Sequence, residues 1–168
     1  MCVAPSRTYS PIMDDAACAA AAAYLVRDSS AVPDTNEIVR ERQVGDRATV
    51  VARWSEARTV HLRRGAVDVV VKGGAWRANG GWSSNANHDS AHPVWLAWGG
   101  TGRSSSGWVA DPAGATVRFR DPDGRVEADT VENGVAILIY DSAFGRTSVV
   151  EVLDGGGTVL HTAPLHPS

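Results

Sequence analysis

Between Arg47 and Lys72 hydrophobic and polar positions alternate. Ala48, Val50, Ala52 and Trp54 stand against Thr49, Val51 and Arg53; Val60 and Leu62 against Thr59, His61 and Arg63; Val67, Val69 and Val71 against Asp68, Val70 and Lys72. A period of two sends successive side chains to opposite faces of a strand, so this stretch predicts three strands, broken at Ser55-Glu56 and at Gly65. A fourth is expected around Ala75 to Ala78, after Gly73-Gly74. Because the runs alternate, one sheet face is expected to be partly wet. Upstream the period is helical. Ile12, Ala16, Ala19, Ala23 and Val26 fall on one stripe, predicting a helix from Pro11 to Asp28. Ser10 is placed to cap it, Pro11 suits the first turn, and Asp14 and Asp15 oppose the positive N-terminal dipole. Alanine buries little area, so such a helix depends on the surface it docks against. Ser29 to Asn36 reads as a loop.

Asn79 to His92 breaks the pattern: it is rich in Gly, Ser and Asn, with Trp82 almost its only apolar residue. It reads as a linker or long loop, dividing a helix-plus-sheet unit over 10–78 from a second unit over 93–163. In that second unit Val94 to Trp98 and Trp108 to Ala110 are short apolar runs around a Gly/Ser-rich loop, Gly99 to Gly107. Asp121-Pro122-Asp123-Gly124 is a turn joining Thr116–Arg120 to Arg125–Val131, since Pro fixes one φ and Gly accepts a positive one. Asn133-Gly134 is a second turn signal. Val135 to Tyr140, apolar at every position, is expected to be the most buried strand. A last hairpin turns at Asp154-Gly155-Gly156-Gly157. The fold class that follows is α+β and mostly β: one N-terminal helix on a short antiparallel sheet, then a small antiparallel β-sandwich.

Two resemblances accompany this reading. The stretch from the helix to Gly73-Gly74-Ala75-Trp76-Arg77 resembles the helix-and-curved-sheet arrangement of cystatin-like and NTF2-like domains. The stretch from Gly107-Trp108-Val109-Ala110 through Asp123-Gly124-Arg125 to Glu132-Asn133-Gly134-Val135 is similar to immunoglobulin-like or carboxypeptidase-regulatory-like sandwiches. Both imply folds; neither brings a site motif.

A chain of 168 residues with 16 basic and 19 acidic side chains and net charge −3 has an ordinary globular balance. No basic field invites nucleic acid, and the longest apolar run, Ala16 to Val26, is too short to span a bilayer. The two cysteines, Cys2 and Cys18, do not make a disulfide framework. The default expectation is a cytoplasmic protein, or an extracytoplasmic one if Cys2 is a lipidated cysteine behind a different start.

Candidate chemistry is sparse. His88-Asp89-Ser90-Ala91-His92 puts two imidazoles four apart with a carboxylate between, so His88, Asp89 and His92 are the candidate metal ligands. The Ser/Asn-rich context and Pro93 argue against the helix that such a site needs. The Gly99–Gly107 stretch lacks the Lys of a phosphate loop and the Gly-x-Ser-x-Gly of a nucleophile elbow. Asp111, Asp121, Asp123 and Asp129 read as turn carboxylates. Arg53, Arg58, His61, Arg63 and Arg64, with Arg40, Arg42 and Arg47 near them, suit an anion or acidic partner, but interleaved with Glu37, Glu41, Asp46, Glu56 and Asp68 they read as a mixed solvated face.

The six Trp are the least ordinary feature. Trp54 belongs to a strand core. Trp82, Trp95, Trp98 and Trp108 are the candidate binding residues, for stacking on a glycan or anchoring in a protein partner. An alternative use is to seal the seam between the two units. The functional expectation is therefore a non-catalytic accessory or binding module, with no cofactor, acting through a surface on a protein or glycan. The alternatives are a small-ligand pocket between helix and curved sheet, and a metal-dependent hydrolase using His88, Asp89 and His92.

Overall fold

Alanine's intrinsic preference for the helix carries α1 (Asp15–Val26) in the computed structural model, which describes residues 13–26, 37–55, 62–85, 94–98 and 103–165. Ser10 and Pro11 lie outside the described residues. The cap found is Asp14: its Oδ1 accepts the Ala16 amide at 2.8 Å. Asp14 is itself pinned to the sheet, since Trp76 Nε1 donates to its Oδ2 and its amide donates to Gln43 Oε1. The buried stripe is also not the expected one. Met13, Ala17, Cys18 and Ala21 face inward, while Ala16, Ala19 and Ala23 are exposed. With alanine on every side the periodicity has no direction, so the docking contacts, not the stripe, set the helix's rotation.

Among the described residues eleven strands follow α1. β1 (Glu37–Val44), β2 (Arg47–Ser55), β3 (Leu62–Lys72) and β4 (Ala75–Asn85) form a meander in the order β1-β2-β3-β4. β5 (Val94–Trp98), β6 (Ser104–Val109) and β9 (Val135–Ile139) form a second sheet in the order β5-β6-β9. β7 (Thr116–Arg120), β8 (Val126–Thr130), β10 (Val149–Leu153) and β11 (Val159–Pro164) form a third, in the order β11-β10-β7-β8. All pairings are antiparallel. The α+β, mostly β class with an N-terminal helix stands.

The layers stack on one another. Ala48, Val50, Val67 and Val69 meet α1; Val51 and Ala66, on the opposite face of the same strands, meet Trp108, Val135, Ile137 and Ile139. β9 then turns Ala136 and Leu138 to the third sheet, against Val117, Phe119, Val150 and Val152. Every residue of β9 is buried, because it lies between two sheets and both its faces are covered. The first sheet is likewise covered twice, so Thr49 and Val51 are as buried as Val50, and the partly wet face expected there is absent from β2 apart from Arg53.

Four segments depart from the sequence reading. The break expected at Gly65 is absent: Leu62–Lys72 is one strand, in which Gly65 pairs with Ala52 and Ser83, because ladders on both sides hold its backbone extended. β1 was not expected, since Glu, Arg and Gln crowd it; its arginines are inward-facing for a reason given below. β4 continues to Asn85, so the beginning of the expected linker is strand; in it, a Cβ on Gly81 would fall 2.7 Å from the Ala66 carbonyl and 2.9 Å from the Tyr24 ring. The bare backbone of Gly81 thus lets α1 lie close to β4. Ser104 to Gly107, expected in a loop, form buried β6, where Ser104, Ser105 and Ser106 stand opposite Ile139, Leu138 and Ile137. Three small side chains let the flanking sheets approach.

Candidate functional site

The densest polar chemistry among the described residues lies where the first sheet meets β8 and β9. Asp129 projects from β8 towards β1. Its carboxylate meets Arg40 Nη1 at 2.5 Å and Arg42 Nη1 at 2.8 Å, and accepts the Ile137 amide at 2.7 Å. Arg40 Nη1 also donates to the carbonyls of Thr130 and Val135, both at 2.7 Å, and Arg42 Nη1 to that of Ile137. Asn133 Nδ2 donates to the Val39 carbonyl. The Arg40 side chain is 5% exposed and that of Asp129 7%. A guanidinium has five donors in a planar fork, which suits one carboxylate and a row of strand-end carbonyls. Arg40 and Arg42 thus bolt β1 to β8 and β9, instead of forming part of a solvated face. Arg64 follows suit, its guanidinium 5.0 Å from the centre of the Trp108 ring.

Local sequence explains how Asp129 reaches this point. Asn133 and Gly134 both hold positive φ, 53° and 73°, giving the tight reversal that Asn-Gly favours. Glu132 and Val135 bridge across it. The turn leaves β8 in one sheet and delivers β9 to another, with Asp129 at the corner between them. Of the carboxylates read as turn formers, two keep that role: Asp111 accepts the Ala113 amide and Asp123 the Arg125 amide. The Asp121 side chain instead ties its turn to a distant segment, accepting the Gly145 amide and the Ser148 hydroxyl. Asp129 is no turn former either, and nothing in its local sequence distinguishes it.

Two further buried polar pairs lie near the seam. Thr49 Oγ1 donates to Asp68 Oδ1 at 2.7 Å, and the Ser105 and Tyr140 hydroxyls are 3.0 Å apart. Burial pushes the Tyr140 phenol up to about 12, against the smaller downward pull of its bond to Ser105. Since the folded-state phenol ionises above its ordinary value of 10.0, its contribution to stability is whole below pH 10.0 and is lost as pH rises through about 12. We expect alkaline unfolding in that window, accompanied by late phenolate absorbance that Tyr140→Phe removes. A Tyr140 phenol that ionises near its ordinary value of 10.0 would refute this. On the third sheet, Glu151 is gripped by Arg120 and Arg118, and these bonds hold its carboxyl below the usual range.

Of the candidate binding residues, Trp108 is 8% exposed and packs with Val51, Ala66 and Val135 in the seam. Trp82 lies on β4, opposite Ala66. Trp95 and Trp98 lie on β5, opposite Trp108 and Ser105. β4 and β5 are neighbours in space, so the topology brings Trp82, Trp95 and Trp98 onto adjoining strands. Among the described residues β5 is hydrogen-bonded along one side only, to β6, and is therefore an edge. The candidate metal ligands His88, Asp89 and His92 lie outside the described residues. Elsewhere, His161 Nε2 lies 2.6 Å from Asp111 Oδ2, and no group of three potential metal ligands occurs among the described residues. No helix there is long and apolar enough to cross a membrane.

A search of protein-family models and of curated proteins finds no match to this chain.

Proposed function

We propose that this protein is a non-catalytic binding module whose working surface is the aromatic edge formed by β4 and β5, and that it takes an extended segment of a partner protein. One observation carries this reading: Val94-Trp95-Leu96-Ala97-Trp98, five uncharged residues of which two are Trp, makes up an edge strand. An edge offers a row of backbone donors and acceptors, and proteins that need to keep an edge unpaired place charge or Pro within it. β5 has neither. Backbone pairing supplies affinity in strand addition, and Trp supplies the anchors that dominate interface energetics. The buried charges support the same reading from the other side. Asp129 is taken up in joining the sheets and Glu151 in a cross-strand pair with Arg118 and Arg120. The space between α1 and its sheet is filled by Met13, Ala17, Ala21, Val50, Val67 and Val69, which weighs against a ligand pocket there.

Iodide quenching tests the surface. With Trp54 and Trp108 buried, the quenchable emission is left to Trp76, Trp82, Trp95 and Trp98, and we expect Trp95→Phe with Trp98→Phe to remove a substantial part of it. Emission unchanged by the double substitution would sink the reading. Titration with short oligosaccharides separates the partner classes: a saturable spectral shift that the double variant loses would assign the edge to a glycan instead.

A further inference from the structure

Arg64 carries a charge that the fold does not answer. In the register of the first sheet it stands directly opposite Arg53 on β2 and Ser84 on β4. Like charges directly opposite one another on a ladder are destabilising. The carboxylate in that row, Glu37, is already spent on Arg53: its two oxygens accept Arg53 Nε at 2.6 Å and Nη2 at 2.8 Å. Among the described residues Arg64 itself has no ion pair and no hydrogen bond, and its Nε is buried without a partner. What it does have is the Trp108 ring, whose centre lies 5.0 Å from the guanidinium carbon. Burial, and after it the Arg53 charge, hold the Arg64 pKa below the ordinary guanidinium value.

A guanidinium over an aromatic ring is held through its charge, which leaves the N–H donors of its fork unused. Trp108 thus places Arg64 without satisfying it. The chemistry that satisfies it is a carboxylate, with one negative charge for one positive and two oxygens that match the fork. A sugar hydroxyl accepts a hydrogen bond but leaves the charge unmatched. The position says where that carboxylate comes from. Trp108 stands opposite Trp95 of β5 and Arg64 opposite Ser84 of β4, so the unanswered charge lies where β4 and β5 adjoin. Resting on the reading of this edge as the working surface, we infer that Arg64 takes a carboxylate of the extended partner segment, so that the edge selects acidic sequences. The tryptophans supply contact area, and Arg64 supplies the choice between partners.

Retention of the full chain on an array of seven-residue peptides of alternating Thr and Val tests this. The peptides are amidated and either uncharged or carry one Glu, one Lys or one phosphoserine; uncharged peptides with a free terminal carboxylate complete the set. We expect the Glu peptides to retain the protein about tenfold better than the Lys peptides, as one charge-assisted bond implies. A preference confined to the free-acid peptides assigns the carboxylate to a chain end. Arg64→Gln, folded by circular dichroism, should lose the preference and keep its binding to the uncharged peptides. Arg64→Met keeps the cover over Trp108 and removes the charge facing Arg53, so its Tm should equal or exceed that of the parent. Equal retention by Glu and Lys peptides, a stronger preference for phosphoserine, or a Glu preference that Arg64→Gln retains overturns the inference and leaves the edge standing. An Arg64→Met variant whose Tm falls by more than about 2–4 °C also overturns it, because Arg64 then serves the fold. Retention by no peptide overturns it as well, and iodide quenching then decides the edge by itself.

Discussion

Asp129→Asn is expected to destabilise the protein by about 3–5 kcal/mol, the range for removing one partner of a buried ion pair. The substitution keeps the shape but leaves the Arg40 guanidinium, 5% exposed, with only the half-exposed Glu132 carboxylate, 3.6 Å away, as counter-charge, and turns an acceptor of the Ile137 amide and two arginines into a half-donor. Desolvating an unpaired charge is what makes such losses large. Exposed pairs, such as Arg53 with Glu37, contribute about 1 kcal/mol or less. Urea unfolding measures the difference; for a chain of this size each kcal/mol corresponds to roughly 2–4 °C in Tm. A partner experiment isolates the cause. Arg40→Met combined with Asp129→Leu should cost less than Asp129→Asn alone, because the deeply buried charges are then gone and only Arg42, 29% exposed, loses its carboxylate. An Asn variant within about 1 kcal/mol of the parent would show that the bolt contributes little. Because the pair joins β1 to β8, we also expect the parent to unfold in one transition reported alike by far-ultraviolet dichroism and Trp emission.

Phe119→Ala should cost a similar amount, about 3–5 kcal/mol, for a different reason. Phe119 is fully buried in the core between β9 and the third sheet, with Phe144 edge-on at 5.5 Å and Tyr140 at 6.2 Å. Truncation removes the transfer energy of the ring, its edge-to-face contact with Phe144, and leaves a cavity that strands on both sides cannot collapse to fill. Phe119→Leu, which keeps most of the volume, should cost less. Val126→Ala, in the same hairpin but 46% exposed, should change stability by no more than about 0.5 kcal/mol. If Phe119→Ala proved as mild as Val126→Ala, the core assigned to this layer would be wrong.

What was readable from the chain and what was not divides along physical lines. Turn chemistry is local, so Asp121-Pro122-Asp123-Gly124 and Asn133-Gly134 were legible, and with them the β7–β8 hairpin and the reversal into β9. Apolarity on both faces of β9 correctly marked it as the most enclosed strand. The rotation of α1 was illegible because alanine on all faces carries no directional signal. β1 was missed because a strand is recognised by its apolar alternation, whereas Arg40 and Arg42 are held inside by a carboxylate 89 residues along from Arg40. The Ser-rich start of β6 was taken for a loop because serine is usually solvated, and only the crowding of two sheets makes it suitable for an interior strand.

The candidate site shows the same split. The density of Trp around β4 and β5 was visible in the sequence, but that β5 is an edge among the described residues, and that Trp108 turns inward beneath Arg64, are results of strand order and sheet stacking.

By itself, then, the amino-acid order determined element types, turns and the one strand enclosed on both sides, because those depend on residues within a few positions of one another. The tertiary structure decided which arginines are buried, which face of α1 docks, and which strands end their sheets. Those outcomes depend on charges and surfaces that meet only after distant segments have been brought together.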